Sequence, residues 1–176
     1  LANPDLPTYF GSKKPKILII EFSDYQCAHC RRMAQTVRDV AKDNPDVRVV
    51  VRELPVLGHH SIVASKVALL AAQKGQYASF HHHMMDASLP LNQNKIMLVA
   101  RAHKLTDQQV ATALKDKSYD RMIALNYRLA EQLKLIGTPA FVVADVDGKV
   151  FYFAPGVISK QDLRVLVKQV ASQQAK

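Results

Sequence analysis

At 176 residues and 48% hydrophobic content, the chain suits one domain that can bury a core without disulfide or metal staples. Its 24 Lys and Arg against 15 Asp and Glu give a formal net charge of +9, but the excess is scattered, with no basic run of five or more and no basic–aromatic alternation. Nucleic acid is therefore not an expected partner, and no apolar run is long enough to span a bilayer, so stable membrane insertion is not expected either.

The chain opens on Leu1 rather than Met and shows neither a charged n-region nor an apolar h-region. The expectation is a processed form whose signal peptide is gone. Residues 1–15, with their Pro, Asn and Gly, read as an extended lead-in. Residues 16–22 are a continuous apolar strand of the kind buried on both faces. A helix over 27–43 follows, with Met33, Val37, Val40 and Ala41 on one side, and Asn44-Pro45 ends it. The β-branched run Val47–Leu54 is a second strand, so 16–53 forms a βαβ unit with parallel strands and a right-handed crossover.

After Pro55 and Gly58 the strand signal disappears until about Lys134. Five helices are predicted there. The first is capped by Ser61 and runs to about Lys74, and the next two cover about 76–86 and 92–103. A fourth opens on the capping-box pattern Thr106–Gln109 and reaches 115, and the fifth covers about 119–134. Strands return at 139–144 and 149–153 around Asp145-Val146-Asp147-Gly148, a hairpin signal. Ser159 caps a last helix over about 160–174, with fraying expected over 172–176. The order predicts an α/β protein with a mixed four-stranded sheet, built from residues 1–57 and 135–176. An all-helical insertion occupies 58–134.

Cys27 and Cys30 are the only cysteines and lie three residues apart where strand gives way to helix. So small a loop removes little entropy from the unfolded chain, which argues for chemistry over scaffolding. A thiolate at a helix N-terminus is favoured by free amides and the dipole, so Cys27 is expected to be the exposed, low-pKa nucleophile and Cys30 the buried resolving thiol. His29, between them, can add a hydrogen bond or positive charge. The competing readings are an inert buried pair and a metal site completed by a histidine such as His59 or one of His81–His83. Zinc prefers four ligands at matched spacing, and no second cysteine pair exists. Three consecutive helical histidines point about 100° apart and suit one metal poorly, so Phe80 and Met84 read as packing residues and His59-His60 as a surface loop. Met84, Met85, Met97 and Met122 read as core filler or the lining of a peptide groove. Glu21, an acid in a buried strand, is costly without a partner, with Arg52 a candidate neighbour. Thr138-Pro139 opens a strand, where an ordinary trans proline is tolerated.

Glu-Phe-x-Asp-Tyr-x-Cys-x-x-Cys at 21–30, helices inserted after βαβ, and Gly-Thr-Pro-Ala-Phe at 137–141 together resemble the DsbA family of thioredoxin-fold thiol–disulfide oxidoreductases, in its Com1-like branch. The resemblance implies a thioredoxin fold with a redox-active Cys27–Cys30 disulfide and no cofactor or metal. Pro139 would be cis and face the cysteines, with the Thr138 backbone pairing with an extended substrate and its hydroxyl reaching a sulfur. Glu21 would shuttle the proton of Cys30. Ala28-His29 stands where strongly oxidising members carry Pro-His, and Thr138 where the best-known oxidases have Val. Thr there is shared with isomerases, so oxidation and isomerisation both stay open. The implied clients are cysteine-containing exported proteins, served from the periplasm or another exported location, with a membrane partner that reoxidises or reduces the pair. Only about 15 residues precede the first strand, which favours a monomer unless an upstream segment has been removed. The alternatives are an isomerase or reductase kept reduced by its partner, a periplasmic metal-binding protein using the Cys pair, and a cytosolic thioredoxin-like reductase.

Overall fold

The computed structural model describes residues 7–174, so the lead-in reading of 1–6 and the fraying expected at 175–176 fall outside the described residues. The elements in chain order are β1 (Tyr9–Gly11), β2 (Ile17–Ser23), α1 (Ala28–Asp43), β3 (Val47–Glu53), α2 (His59–Gln73), α3 (Tyr77–Asp86), α4 (Gln93–Ala102), α5 (Asp107–Lys115), α6 (Lys117–Gln132), β4 (Ala140–Asp145), β5 (Phe151–Pro155) and α7 (Lys160–Gln174).

The sheet has five strands in the order β1-β3-β2-β4-β5, not four. β2 and β3 are parallel, as the βαβ reading requires, and the other pairs are antiparallel. The additional strand, β1, lies in what the sequence presents as a lead-in. Three residues are too few to display an alternating pattern, and β1 exists because β3 offers an open edge. Tyr9 pairs with Val50, the Thr8 carbonyl accepts from Val51 N at 2.8 Å, and the Arg48 guanidinium stacks on the Tyr9 ring at 4.2 Å.

Every residue of central β2 is buried, which its unbroken apolar run demands. Alternation sends Ile17, Ile19 and Glu21 to the face covered by α1 and α7, and Leu18, Ile20 and Phe22 to the face covered by the end of α6. Fully buried Ile19, Ile20 and Phe22 each contribute roughly 1.5–3 kcal/mol of burial. The larger of the two core clusters runs without a break from α1 and the sheet through Val67, Phe80, Ile96 and Val110 of the inserted helices. Buried Lys66 adds a polar tie from α2 to α6 by pairing with Asp120 at 2.7 Å.

Helix boundaries differ from the sequence reading where tertiary contacts take over. α2 starts three residues earlier than a Ser61 cap would allow, so His59 and His60 belong to its first turn rather than to a loop. Its N-cap, Gly58, has no side chain to cap with, and the Ser61 hydroxyl instead donates to Asp24 Oδ1 at 2.7 Å. α6 begins at Lys117 on an Asp116 cap, and β5 is shifted to Phe151–Pro155. The capping box at Thr106–Gln109 is present with both of its hydrogen bonds. Ser159 accepts from Asp162 N at the start of α7, which stays helical through Gln174. Among the described residues, no helix is long and apolar enough to cross a membrane.

Gly11 has φ +92°, and a Cβ there would sit 2.7 Å from the Val47 carbonyl oxygen. Gly11→Ala is therefore expected to loosen β1 and to cost about 1–3 kcal/mol in chemical denaturation. An unchanged denaturation midpoint would show that the edge contributes nothing.

Candidate functional site

Strand β2 ends at Ser23, and the chain turns through Asp24-Tyr25-Gln26 into α1. The turn is held by Asp24, which is wholly buried. Its carboxylate accepts from Gln26 N (2.7 Å), Leu57 N (2.9 Å) and Ser61 Oγ (2.7 Å), and its carbonyl accepts from Cys27 N (3.1 Å). One side chain thus ties the approach to α1 to the start of α2.

Cys27 is the N-cap of α1, and its Sγ accepts from Cys30 N at 3.3 Å. A sulfur therefore fills the position usually taken by a Ser or Asp oxygen. Both cysteines are free thiols and both are buried, Cys30 at 0% and Cys27 at 5% exposure. Cys27 is the more accessible of the two, but it is far less open than its place at a helix start suggests. The Thr138 loop lies against it, with the Thr138 carbonyl oxygen 3.3 Å from Cys27 Sγ. The Thr138–Pro139 peptide bond is cis. Pro139 and Ile136 help line a cavity of about 610 Å³ with Phe153 and Pro155. A second hollow of about 340 Å³, between Leu54, Val56, Tyr127 and Leu135, adjoins it through Ile136 and Gly137.

The two sulfurs are driven apart in acidity. Cys27 is lowered from the ordinary 9.0 to about 5. The largest cause is the hydrogen bond from the Cys30 side chain. Burial opposes it, and the Thr138 hydroxyl and the amides of Cys30 and His29 add to the lowering. Cys30 is pushed far up, first by burial and then by its hydrogen bond to Cys27. Glu21 is buried on the same face of β2, 1% exposed, and its negative form is one of the influences raising Cys30. Burial lifts Glu21 itself to about 8, partly offset by the nearby Ser23 hydroxyl, and its Oε1 has no hydrogen-bond partner.

The structure thus gathers Cys27, Cys30, Thr138, Pro139 and Glu21 into one place. The His29 side chain is not part of it. That ring is exposed and faces Arg32, so His29 acts on Cys27 through its amide alone. Nor does Arg52 neighbour Glu21. It pairs with Phe22 in the β2–β3 register, on the opposite face of the sheet, and reaches Asn126 of α6 at 3.4 Å. Among the described residues, no group of three or more His, Cys, Asp or Glu could hold a metal ion.

Sequence reasoning missed Asp24 and a second buried acid, Glu53. Glu53 accepts from the hydroxyls of Tyr25 (2.9 Å), Tyr77 (2.7 Å) and Ser65 (2.8 Å). The signal that flags Glu21, an acid in a buried apolar strand, applies equally to Glu53 at the end of β3. His81, from the histidine triplet, is buried with Nδ1 3.0 Å from the Tyr25 hydroxyl.

The family description "DSBA-like thioredoxin domain" matches residues 18–169. A solved thioredoxin-like oxidoreductase from Silicibacter pomeroyi DSS-3 is 32% identical, with TM-score 0.88 over 97% of this chain and 94% of that one. A periplasmic thioredoxin-like protein from Salmonella enterica serovar Typhimurium has the same fold at 24% identity, with TM-score 0.83 over 96% and 93% of the two chains. The Na(+)/H(+) antiporter NhaA 3 of Salinispora tropica is 25% identical over 144 residues, 81% of this chain, and this chain spans 22% of that protein's length.

Raising the pH converts thiol to thiolate, so alkylation of reduced protein by iodoacetamide should rise through a midpoint near pH 5 at Cys27 and level off well before pH 9. Below the midpoint the rate should fall about tenfold per pH unit. A midpoint near 9 would show that the arrangement does not stabilise the thiolate.

Proposed function

The chain belongs to the family of DSBA-like thioredoxin domains, and from that premise we propose that it forms disulfide bonds in exported proteins by thiol–disulfide exchange at Cys27 and Cys30. The observation that carries this reading is the placement of the two sulfurs, Cys27 Sγ accepting from Cys30 N at the helix cap and Cys30 wholly buried behind it, which lowers the pKa of the first thiol and raises that of the second.

In the oxidised protein a client thiolate attacks Cys27 Sγ, the more accessible sulfur. The client–Cys27 bond forms and the Cys27–Cys30 bond breaks, with its electron pair leaving on Cys30. Glu21, protonated at neutral pH, gives Cys30 its proton. That transfer runs downhill because Cys30 holds a proton more tightly than Glu21 does. A second client thiolate then attacks the client's own sulfur and releases Cys27 as a thiolate. Two electrons pass from client to protein, one client proton goes to solvent, and the other replaces the proton taken from Glu21. The stability of the Cys27 thiolate as leaving group drives the direction.

The backbone at Thr138, beside Cys27, offers an edge to an extended client segment. Val56, Leu57, Ile136, Phe153 and Val157 are exposed apolar side chains on the loops and strand end around it, suited to unfolded rather than folded clients. A membrane-bound redox partner would restore the disulfide, and the periplasm or another oxidising compartment is the fitting location. Residues 58–134 act in this reading as a helical insertion over a domain formed by 1–57 and 135–176. A second reading, isomerase or reductase, rests on Thr138, which stands where the resemblance places a residue shared with isomerases. In a protein kept reduced by its partner, the Cys27 thiolate would attack wrong disulfides.

Cys27→Ser is expected to abolish oxidative refolding of a reduced client, and Cys30→Ser to accumulate client mixed disulfides visible on non-reducing gels. Turnover surviving in Cys27→Ser, or no trapped species with Cys30→Ser, overturns the mechanism. Activity on scrambled but not on reduced client selects the isomerase reading.

A further inference from the structure

Two carboxylic acids, Glu21 and Glu53, are each 1% exposed on the same face of the sheet. In the parallel β2–β3 register Glu21 lies opposite Val51 and Ser23 opposite Glu53, so the acids stand on adjacent strands, offset by two residues. Among the described residues neither forms an ion pair with a Lys, Arg or His. Two neighbouring buried carboxylates without a cation ionise one after the other rather than together.

Hydrogen bonds decide which goes first. Glu53 collects three hydroxyl donors from three segments: Tyr25 from the turn before Cys27, Ser65 from α2 and Tyr77 from α3. Glu21 Oε1 collects none. Donors stabilise the anion, so the negative charge belongs on Glu53 and the proton on Glu21. Behind Tyr25 stands His81 of α3. The single Tyr25 hydroxyl proton points to Glu53, so the His81 ring donates from Nδ1–H to the Tyr25 oxygen. Burial keeps that ring neutral, lowered to about 3.

We propose that Glu53 is a positioning residue for the redox chemistry: held as a buried anion by hydroxyls of the helical insert, it keeps the proton on Glu21. The proposal rests on the reading of Glu21 as proton donor to Cys30. It gives the insert a chemical task besides covering the site, because two of the three donors and the histidine behind the third come from α2 and α3. Burial raises both acids, and the hydroxyls of Tyr77, Ser65 and Tyr25 pull Glu53 back down. Besides Tyr25, Tyr77 and His81, the titratable groups facing the pair are Asp24 toward Glu53, and Cys27 and Cys30 toward Glu21.

The chain has only three glutamates, Glu21, Glu53 and exposed Glu131, so protein labelled with carboxyl-13C glutamate gives three titration curves by NMR. In the natural protein Glu53 should ionise at lower pH than Glu21. Glu53→Gln removes the neighbouring anion and should lower the Glu21 midpoint by about one pH unit. Tyr77→Phe, which keeps the ring and removes one donor, should raise the Glu53 midpoint and lower that of Glu21. It keeps the test available if Glu53→Gln does not fold. Glu131 should stay where it is in every variant. A Glu21 midpoint unmoved in folded Glu53→Gln or Tyr77→Phe overturns the proposal and leaves the network as packing alone. Failure of the underlying reading looks different: Glu21→Gln would then oxidise client at the natural rate, whatever the titration curves show.

Discussion

A sulfur at the N-cap of α1 is the contact on which the rest of the site depends. A helix start leaves amides without partners, and Cys27 supplies the acceptor that a Ser or Asp oxygen would supply elsewhere. A thiolate accepts better than a thiol, so closing the helix and ionising the sulfur favour each other. Lowering Cys27 from 9.0 to about 5 is a preference for the charged form. That preference makes the reduced state of such a pair comfortable and its disulfide a ready acceptor of electrons.

The cap works only if the chain arrives at the right angle, and buried polar groups see to that. Asp24 fixes the turn from β2 by accepting two amides and a hydroxyl, one of those amides and the hydroxyl from the approach to α2 and its first turn. Arg31, the residue after Cys30, donates to the carbonyls of Tyr25, Met85 and Ala87, joining the start of α1 to the end of α3. The helical insert is therefore bonded to the redox turn on two sides. Its removal would leave the Arg31 guanidinium and the buried acids Asp24 and Glu53 short of partners, at roughly 1–3 kcal/mol for each group left unpaired. The insert and the sheet also share one apolar core, which explains why the five inserted helices behave as part of the architecture.

The acids beneath the turn follow from the same economy of buried charge. Nothing cationic offsets Glu21, so burial leaves it protonated at neutral pH, a weak acid stored beside Cys30. Glu53 is buried as deeply but well solvated by protein hydroxyls. Identical side chains on adjacent strands sit in unlike surroundings, one met by three hydroxyls and the other with an oxygen that meets none. A thiol lowered in pKa, a second thiol raised and a protonated acid close by are the parts the proposed disulfide exchange uses.

Local chemistry in the sequence determined the larger share of the fold. The apolar run of β2, the β-branched β3, the break at Asn44-Pro45 and the Asp-Gly hairpin each act through neighbouring residues, and each is present, with only the second strand of the hairpin shifted by two residues. The same holds for Cys27 and Cys30, whose spacing at a strand–helix junction is itself a local feature. Tertiary structure decided the rest. β1 exists only because β3 has an edge to pair with. Ser61 serves Asp24 rather than its own helix, because a buried carboxylate gains more from a hydroxyl than a helix end near solvent does. The His29 ring faces Arg32 while its amide lies toward Cys27, and Arg52, a candidate neighbour of Glu21, lies on the other face of the sheet. Glu53 drew no notice in the sequence because its partners come from positions 25, 65 and 77, and only folding brings them within 3 Å. Periodicity reports which way a residue faces, whereas hydrogen bonding between distant segments, and the charge state it imposes, exists only once the chain has closed on itself.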